Sequence, residues 1–339
     1  MGQADAITAW PVIGHEWAVQ LLRQSLLHGR LSHAYLFIGQ PGVGKTTLAR
    51  ALAQAMHCQV KEVVTRPCGQ CRACSLIALD RHPDVRVVAP PDAERPISVE
   101  QVRELQREAH LSPIEGRTKV FILRELDRAT PQAANALLKT LEEPPAHVML
   151  LMTASQREAL LPTVTSRCQV IALRPLPLKT LATALQERWG ASPEQAALLA
   201  RLSGGSLGLA VALLRDPQSE VWRHQRLTEM MQAMAADLTE RLRLAEQLSQ
   251  QAEMVKPTLT LWLNWWRDVL LVQTGGIELI THVDQRAAIE QAARQWRTGQ
   301  VKDTVHKLWD TLKYMDANVN ARLALEALFL SLPRSASMG

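Results

Sequence analysis

The run Gly39-Gln40-Pro41-Gly42-Val43-Gly44-Lys45-Thr46 limits the fold of this chain more than any other feature. It satisfies G-x-x-x-x-G-K-[ST] in full, and such a loop works only between a strand and a helix. Both flanks are present. Ala34-Tyr35-Leu36-Phe37-Ile38 is a short apolar run of strand type, and Thr46 to about Met56 has helical periodicity. The physical logic is direct: glycines let backbone N–H groups turn inward around phosphate oxygens, and the helix N-terminus adds its positive end. Lys45 reaches the outer phosphates and Thr46 can bind Mg²⁺. Gly39, Pro41, Gly42, Val43, Gly44, Lys45, Thr46 and Thr47 are therefore the candidate contacts to ATP or ADP. A glycine-rich turn with a solvated lysine would match the spacing alone, but the flanking strand and helix argue against it.

The rest of the first half repeats the alternation. Val85–Val88, Val120–Leu123, Val148–Met152 and Gln169–Leu173 are strand candidates with helices between them, so an α/β fold with a mostly parallel, doubly covered sheet is expected. Ser98 followed by Gln101 has capping-box spacing and opens a helix through about Ala109; Thr130-Pro131 opens another that Pro144-Pro145 closes. Two prolines in Arg174-Pro175-Leu176-Pro177 mark a linker. Beyond it all segments look helical, with a break at Ser203-Gly204-Gly205-Ser206. At 339 residues, against a usual domain of about 150, two or three units are expected. We assign 1–175 to the nucleotide domain with an insert at about 57–75, 176–214 to a small helical domain, 215–333 to a larger helical domain and 334–339 to a tail. Trp262, Trp265 and Trp266, spaced at three and four, fit a bundle core better than a base-stacking platform, since only Arg267 accompanies them.

Charge alone decides nothing, although the mild basic excess is compatible with contact to a polyanion. Residues 1–175 carry 20 basic against 16 acidic side chains and the remainder 18 against 17, a mild bias far short of a basic stripe. No apolar run approaches the roughly 18 residues that span a bilayer. The start, MGQADAITAW, lacks a signal-peptide pattern, so a cytoplasmic protein with no membrane contact is expected. In a reducing compartment the crowding of Cys58, Cys68, Cys71 and Cys74 as C-x₉-C-x₂-C-x₂-C reads as metal ligands. Two-residue spacers let thiolates converge on one ion, and four sulfurs favour structural Zn²⁺. An iron–sulfur cluster or unliganded thiols are the alternatives. Cys168 lies too far along the chain to join them.

A hydrolytic site needs a second element, an apolar strand ending in an acid that holds Mg²⁺, with a glutamate beside it to polarise water. Val120-Phe121-Ile122-Leu123 supplies the strand, but Arg124-Glu125-Leu126-Asp127 follows. Glu125 stands where the base belongs, whereas Arg124 occupies the place of the metal-side acid. A guanidinium opposes a divalent cation and stays charged at every relevant pH, so Mg²⁺ is disfavoured and hydrolysis should be weak or absent. Asp127 could take the acid's part only if the strand ran three residues further, with Arg124 inside the sheet.

Several strings together resemble the AAA+ clamp-loader subunits of bacterial DNA polymerase III. They are His33-Ala34-Tyr35-Leu36-Phe37 before the loop, the four-cysteine insert, Ala133-Ala134-Asn135-Ala136-Leu137-Leu138-Lys139-Thr140-Leu141-Glu142-Glu143-Pro144-Pro145, and Ser166-Arg167-Cys168. The stretch Asp316 to Glu326 resembles the family's last collar helix. The resemblance implies a heteropentameric ring of gamma or tau and delta-type subunits that opens a sliding clamp and places it on primed DNA. ATP sites lie between neighbours, and Arg167 would be the finger acting in trans on a neighbour's γ-phosphate. Thr153, after the Val148–Met152 strand, would be the first sensor. Two family features are missing: the acid at Arg124, and a second-sensor arginine, which Gly205-Ser206-Leu207-Gly208-Leu209 does not supply. Both losses fall on the chain's own site while Arg167 is kept, so it resembles the delta-prime branch. The alternative is a hydrolysing gamma-type subunit; tau would carry a long further C-terminal region. A stand-alone zinc-dependent DNA-binding protein is disfavoured because Arg72 is the sole basic residue between Cys68 and Cys74.

Overall fold

The computed structural model describes residues 10–333 except Ala93, Asn318 and the side chain of Asp316. The N-terminal start and the 334–339 tail assigned above lie outside the described residues. One compact unit runs to Ala184 and takes in Gly204–Leu209; the other holds Leu185–Ser203 and the chain from Ala210 onward.

In the first unit, strands β1 (Ala34–Ile38), β2 (Val85–Val88), β3 (Lys119–Leu123), β4 (Val148–Ala154) and β5 (Gln169–Ala172) form one sheet. Every pairing is parallel and the order is β2-β3-β4-β1-β5. β1, β3 and β4 are buried along their whole length, as strands covered on both faces must be, and β2 and β5 are the partly exposed edges. Helices α1 (Glu16–Leu27), α2 (Lys45–His57), α3 (Arg72–Ala78), α4 (Val99–Ala109), α5 (Pro131–Glu142) and α6 (Pro162–Thr165) complete the unit. Side chains of α1, α2 and α3 pack with Tyr35, Phe37, Val120, Ile122, Met149 and Leu151 on one face. Those of α4, α5 and α6 pack with Leu36, Phe121, Leu123, Leu150 and Met152 on the other. The alternation of each strand thus feeds two separate cores.

The helix ends follow the expected chemistry. Ser98 Oγ accepts from Gln101 N at 3.4 Å while Gln101 Oε1 accepts from Ser98 N at 3.0 Å, and Thr130 Oγ1 accepts from Ala133 N at 3.1 Å ahead of Pro131. β4 runs two residues past the expected strand, so Thr153 lies inside it.

After the linker the chain is helical: α7 (Leu178–Trp189), α8 (Pro193–Leu202), α9 (Leu207–Arg215), α10 (Pro217–Ala235), α11 (Leu238–Ser249), α12 (Ala252–Gln273), α13 (Arg286–Gln295), α14 (Thr298–Asp316) and α15 (Ala321–Ser331). The stretch resembling a last collar helix begins at the end of α14, and the helix itself starts at Ala321, capped by Asn320. Trp262, Trp265 and Trp266 are buried in the core of α10 to α15, with Trp262 against Phe329 at 5.5 Å between centroids and Trp266 against Trp296 at 6.2 Å. The same unit buries Arg223, Arg226 and, most completely, Arg241. Arg241 donates to Phe329 O at 3.1 Å, Leu332 O at 2.7 Å, Met234 O at 3.2 Å, Pro333 O at 3.2 Å and Ala236 O at 3.3 Å, tying the C-terminal ends of α10 and α15 together. Among the described residues no helix is long and apolar enough to cross a membrane.

Candidate functional site

The phosphate loop leaves β1, at the point where the strand order reverses, and enters α2. Ligands of open α/β sheets bind outside the carboxyl ends of the strands at such a point. Gly42 and Gly44 have φ of 75° and 108°, which a side chain would strain, and Gly44 is the N-cap of α2 with no side-chain cap. The first N–H groups of α2 therefore face outward as donors for an anion. Lys45 Nζ donates to Gly39 O, and to Gln40 O at 2.9 Å, so the side chain lies along the loop. Burial lowers the pKa of its ammonium, against the opposing pull of Asp127 and Glu125. Val43 is buried in the core, Thr46 is half-buried, and Pro41 and Thr47 are exposed. His15, which the sequence did not flag, supports the loop with Nε2 3.0 Å from Val43 O.

A second segment closes on this loop. Ser206 Oγ donates to Pro41 O at 2.8 Å, Gly208 N to Gly42 O at 2.8 Å, and Gln40 Nε2 to Gly204 O at 3.2 Å. A Cβ on Gly208 would sit 2.8 Å from Gly42 O and 2.9 Å from Gly42 Cα. Where the family places its second-sensor arginine, this chain has glycine backbone against glycine backbone.

β3 ends at Leu123, with Arg124 just outside it. Glu125 has φ 54°, a conformation uncommon for a residue with a side chain, and starts a tight helical turn over Leu126–Arg128. Its N–H donates to Thr153 Oγ1 at 3.0 Å, so the expected sensor threonine is buried and holds the backbone of the expected base. Its carboxylate pairs with Arg128 at 2.9 Å. Asp127 Oδ2 accepts from Ser155 N at 3.0 Å, joining the turn to the end of β4. Sequence reasoning missed Arg128 and Ser155; the three-residue spacing from Glu125 to Arg128 was the one available signal. Thr46 could offer Mg²⁺ a hydroxyl and Asp127 keeps Oδ1 buried without a hydrogen bond, but the residue directly after β3 is Arg124, whose guanidinium opposes a divalent cation, so the residues fit a phosphate chain better than the metal.

The four cysteines come together at the far end of α2. Cys58 caps α2 and Cys71 caps α3, which carries Cys74; all four sulfurs lie within 4.8 Å of one another. A tetrahedron with bonds of about 2.3 Å has S···S edges of about 3.8 Å, and Cys68 Sγ is 4.0 Å from Cys74 Sγ. Backbone N–H groups already point at the sulfurs: Cys68 N is 3.4 Å from Cys58 Sγ and Cys71 N is 3.3 Å from Cys68 Sγ. Bonds from the backbone of Gln70 and Cys71 pull the Cys68 thiol down to about 6. The cluster fits a tetrahedral thiophilic cation. The insert is stitched to the body by Gln54 Nε2 to Cys74 O at 2.9 Å, Trp10 Nε1 to Arg66 O at 3.1 Å and the Arg72–Glu115 pair at 2.7 Å.

Arg167 follows the short α6 and reaches back within its own chain, donating to Thr163 O at 2.9 Å and pairing with Glu142 at 2.7 Å. It is partly exposed, at the surface end of α5. Cys168 faces inward; burial pushes its thiol up to about 12, and Sγ is 3.0 Å from Val164 O.

Residues 14–177 match the family model described as DNA polymerase III, delta subunit. The chain is 32% identical over 319 residues to the DNA polymerase III subunit delta' of Bacillus subtilis, covering 93% of this chain and 94% of that protein. It is 34% identical over 337 residues to the subunit delta' of Pseudomonas aeruginosa, covering 94% and 98%. The DNA polymerase III subunit tau of Escherichia coli is 37% identical over 207 residues, 60% of this chain but only 32% of tau. The delta' relatives match nearly end to end and tau over its shared portion alone, so the chain belongs to the delta-prime family of DNA polymerase III subunits.

Proposed function

We propose that this chain is the delta-prime-type subunit of a clamp loader, a cytoplasmic ring with gamma or tau and delta subunits that loads a sliding clamp onto primed DNA. Its own site binds ATP or ADP without effective turnover, and Arg167 is lent to a neighbouring ATPase site. The lid is assigned to 176–214 and the collar, at 215–333, to ring assembly. Cys58, Cys68, Cys71 and Cys74 hold one structural Zn²⁺.

One observation carries the reading: the end of β3 presents Arg124, with Glu125 committed to Arg128, while Arg167 sits at the surface on an exposed carboxylate. The defects belong to the chain's own site and the intact group is the one an adjacent subunit could use. The Arg167–Glu142 pair is exposed and worth at most about 1 kcal/mol, so a phosphate can displace the carboxylate. In a reconstituted complex, Arg167→Ala should lower turnover at the site it completes by on the order of 10³-fold. Lys45→Ala should leave turnover of the complex nearly unchanged. ATP hydrolysis by the isolated chain that disappears with Lys45→Ala would instead identify a gamma-type ATPase.

A further inference from the structure

Arg124 is a cation that its neighbours do not account for. Its N–H donates to Val88 O at 2.8 Å, so residue 124 extends the β2–β3 ladder by one position. Alternation sends Val120 and Ile122 to the face covered by α1 and α2, and Phe121 and Leu123 to the opposite face. Position 124 therefore falls on the α2 side, where Lys45 begins its helix. Leu123 is level with Met152 and Met152 with Leu36, which sets Arg124 level with Thr153 and Phe37. Two inter-strand steps of ~4.8 Å put its Cα about 10 Å across the sheet from β1, near enough for a long side chain to reach the space above the loop. The electrostatic pull of Asp127 on Lys45 sets the same turn beside the phosphate loop.

Neither adjacent carboxylate neutralises this guanidinium. Glu125 is held by Arg128 at 2.9 Å, and Asp127 accepts from Ser155 N at 3.0 Å through Oδ2 while its Oδ1 is buried without a hydrogen bond to Arg124 or any other group. Arg124 Nε is buried with no acceptor, a costly state that an anion would relieve. The site thus offers two cations, Lys45 and Arg124, and outward N–H groups of α2, against one carboxylate oxygen, Asp127 Oδ1, that is buried without a hydrogen bond.

We propose that Arg124 replaces the metal: it contacts the outer phosphate oxygens of a nucleoside di- or triphosphate directly, so that nucleotide binds without Mg²⁺. The proposal rests on the reading of Gly39–Thr46 as a nucleotide site. A planar guanidinium offers phosphate two parallel donors and cannot lose its charge, which suits this role. Mg²⁺ complexed to the nucleotide would meet Arg124 as a like charge, so the metal should weaken binding or leave it unchanged.

The test titrates the full-length chain with fluorescent ADP and ATP analogues at fixed ionic strength, in excess Mg²⁺ and in EDTA, with inorganic tripolyphosphate and AMP as competitors. Affinity in EDTA is expected to equal or exceed that in Mg²⁺, with tripolyphosphate competing and AMP failing to. Arg124→Ala should lose about tenfold or more in EDTA, as expected for a lost charged hydrogen bond. Arg124→Lys, which keeps the charge but loses the paired donors, should retain affinity between wild type and Arg124→Ala, and Arg124→Asp should make binding depend on Mg²⁺; circular dichroism checks that each variant is folded. Wild-type binding that tightens tenfold or more with Mg²⁺, or an Arg124→Ala variant that binds as wild type in EDTA, overturns the proposal and leaves the nucleotide reading standing. Absence of binding in both media overturns the two together.

Discussion

Replacing Arg241 by methionine should destabilise the helical unit by about 2 kcal/mol. Arg241 is almost fully buried, and the carbonyls it serves at Phe329, Leu332 and Met234 are bonded in buried surroundings, while those at Ala236 and Pro333 are closer to solvent. Methionine keeps the length and removes every donor. The two outer carbonyls can turn to water and Phe329 O keeps the N–H of Leu332, but the buried carbonyls of Leu332 and Met234 are orphaned at about 1 kcal/mol or more each. Loss of a cation at two helix C-termini adds to this, and relief of the guanidinium's own burial subtracts a similar amount. Urea unfolding followed by tryptophan emission is the assay. Six of the nine tryptophans, at 222, 262, 265, 266, 296 and 309, fall within 217–333, so the signal reports that unit. A loss of about 2 kcal/mol lowers the midpoint by roughly 1 M. The control is Arg322→Met, which breaks exposed pairs with Glu246 at 2.9 Å and Glu326 at 2.8 Å and should leave the midpoint nearly unchanged. If the two variants shift the midpoint equally, the buried carbonyls do not depend on Arg241 and the reasoning fails.

Two further outcomes concern the first unit. Burial opposes ionisation of Asp84, yet N–H bonds from Ile114 at 2.6 Å, Glu115 at 2.7 Å and Gly116 at 2.8 Å hold its pKa below the ordinary carboxylate value. A lowered folded pKa stabilises above the unfolded value of about 3.9, and the contribution is lost as pH falls through the lower folded value. Asp84→Asn should therefore cost about 1–3 kcal/mol at neutral pH and flatten the acid limb of the stability profile below about pH 4; an unchanged acid limb would exclude Asp84 as its source. For the cysteine cluster, elemental analysis should give one zinc per chain and Cys71→Ser should bring it close to zero. Chelation should open the insert to trypsin at Lys61 and Arg72, and an insert that resists cleavage equally with and without the metal would rule out a structural role.

Where a property is local, the sequence carried it. The five strands are apolar runs of four to seven residues because both faces of the sheet are covered, and Ser98 and Thr130 cap their helices with atoms two or three residues away. Spacing alone was enough to gather Cys58, Cys68, Cys71 and Cys74. The remainder depends on contacts between distant segments or on a choice among competing partners. Nothing near Gly42 in the sequence indicates that Gly208 will donate to its carbonyl, a contact permitted because neither residue has a Cβ. Arg124, Glu125, Asp127 and Arg128 could pair in several ways within five residues. The pairing of Glu125 with Arg128 was settled by the left-handed backbone at Glu125 and by the demand of Ser155 N for Asp127. Arg241 read as one more polar position on an amphipathic helix, because the carbonyls it serves lie mostly some ninety residues away.

Helix α2 has one end in each of two sites. Gly44 opens it at the phosphate loop and Cys58 closes it at the sulfur cluster, and thirteen helical residues between them form a rod of about 20 Å. A helix of that length bends little and cannot stretch, since each turn is held by its own hydrogen bonds. The phosphate loop and the sulfur cluster are therefore spaced apart by one rigid element whose middle, at Leu48, Ala49, Leu52 and Ala53, is locked into the core beneath the sheet.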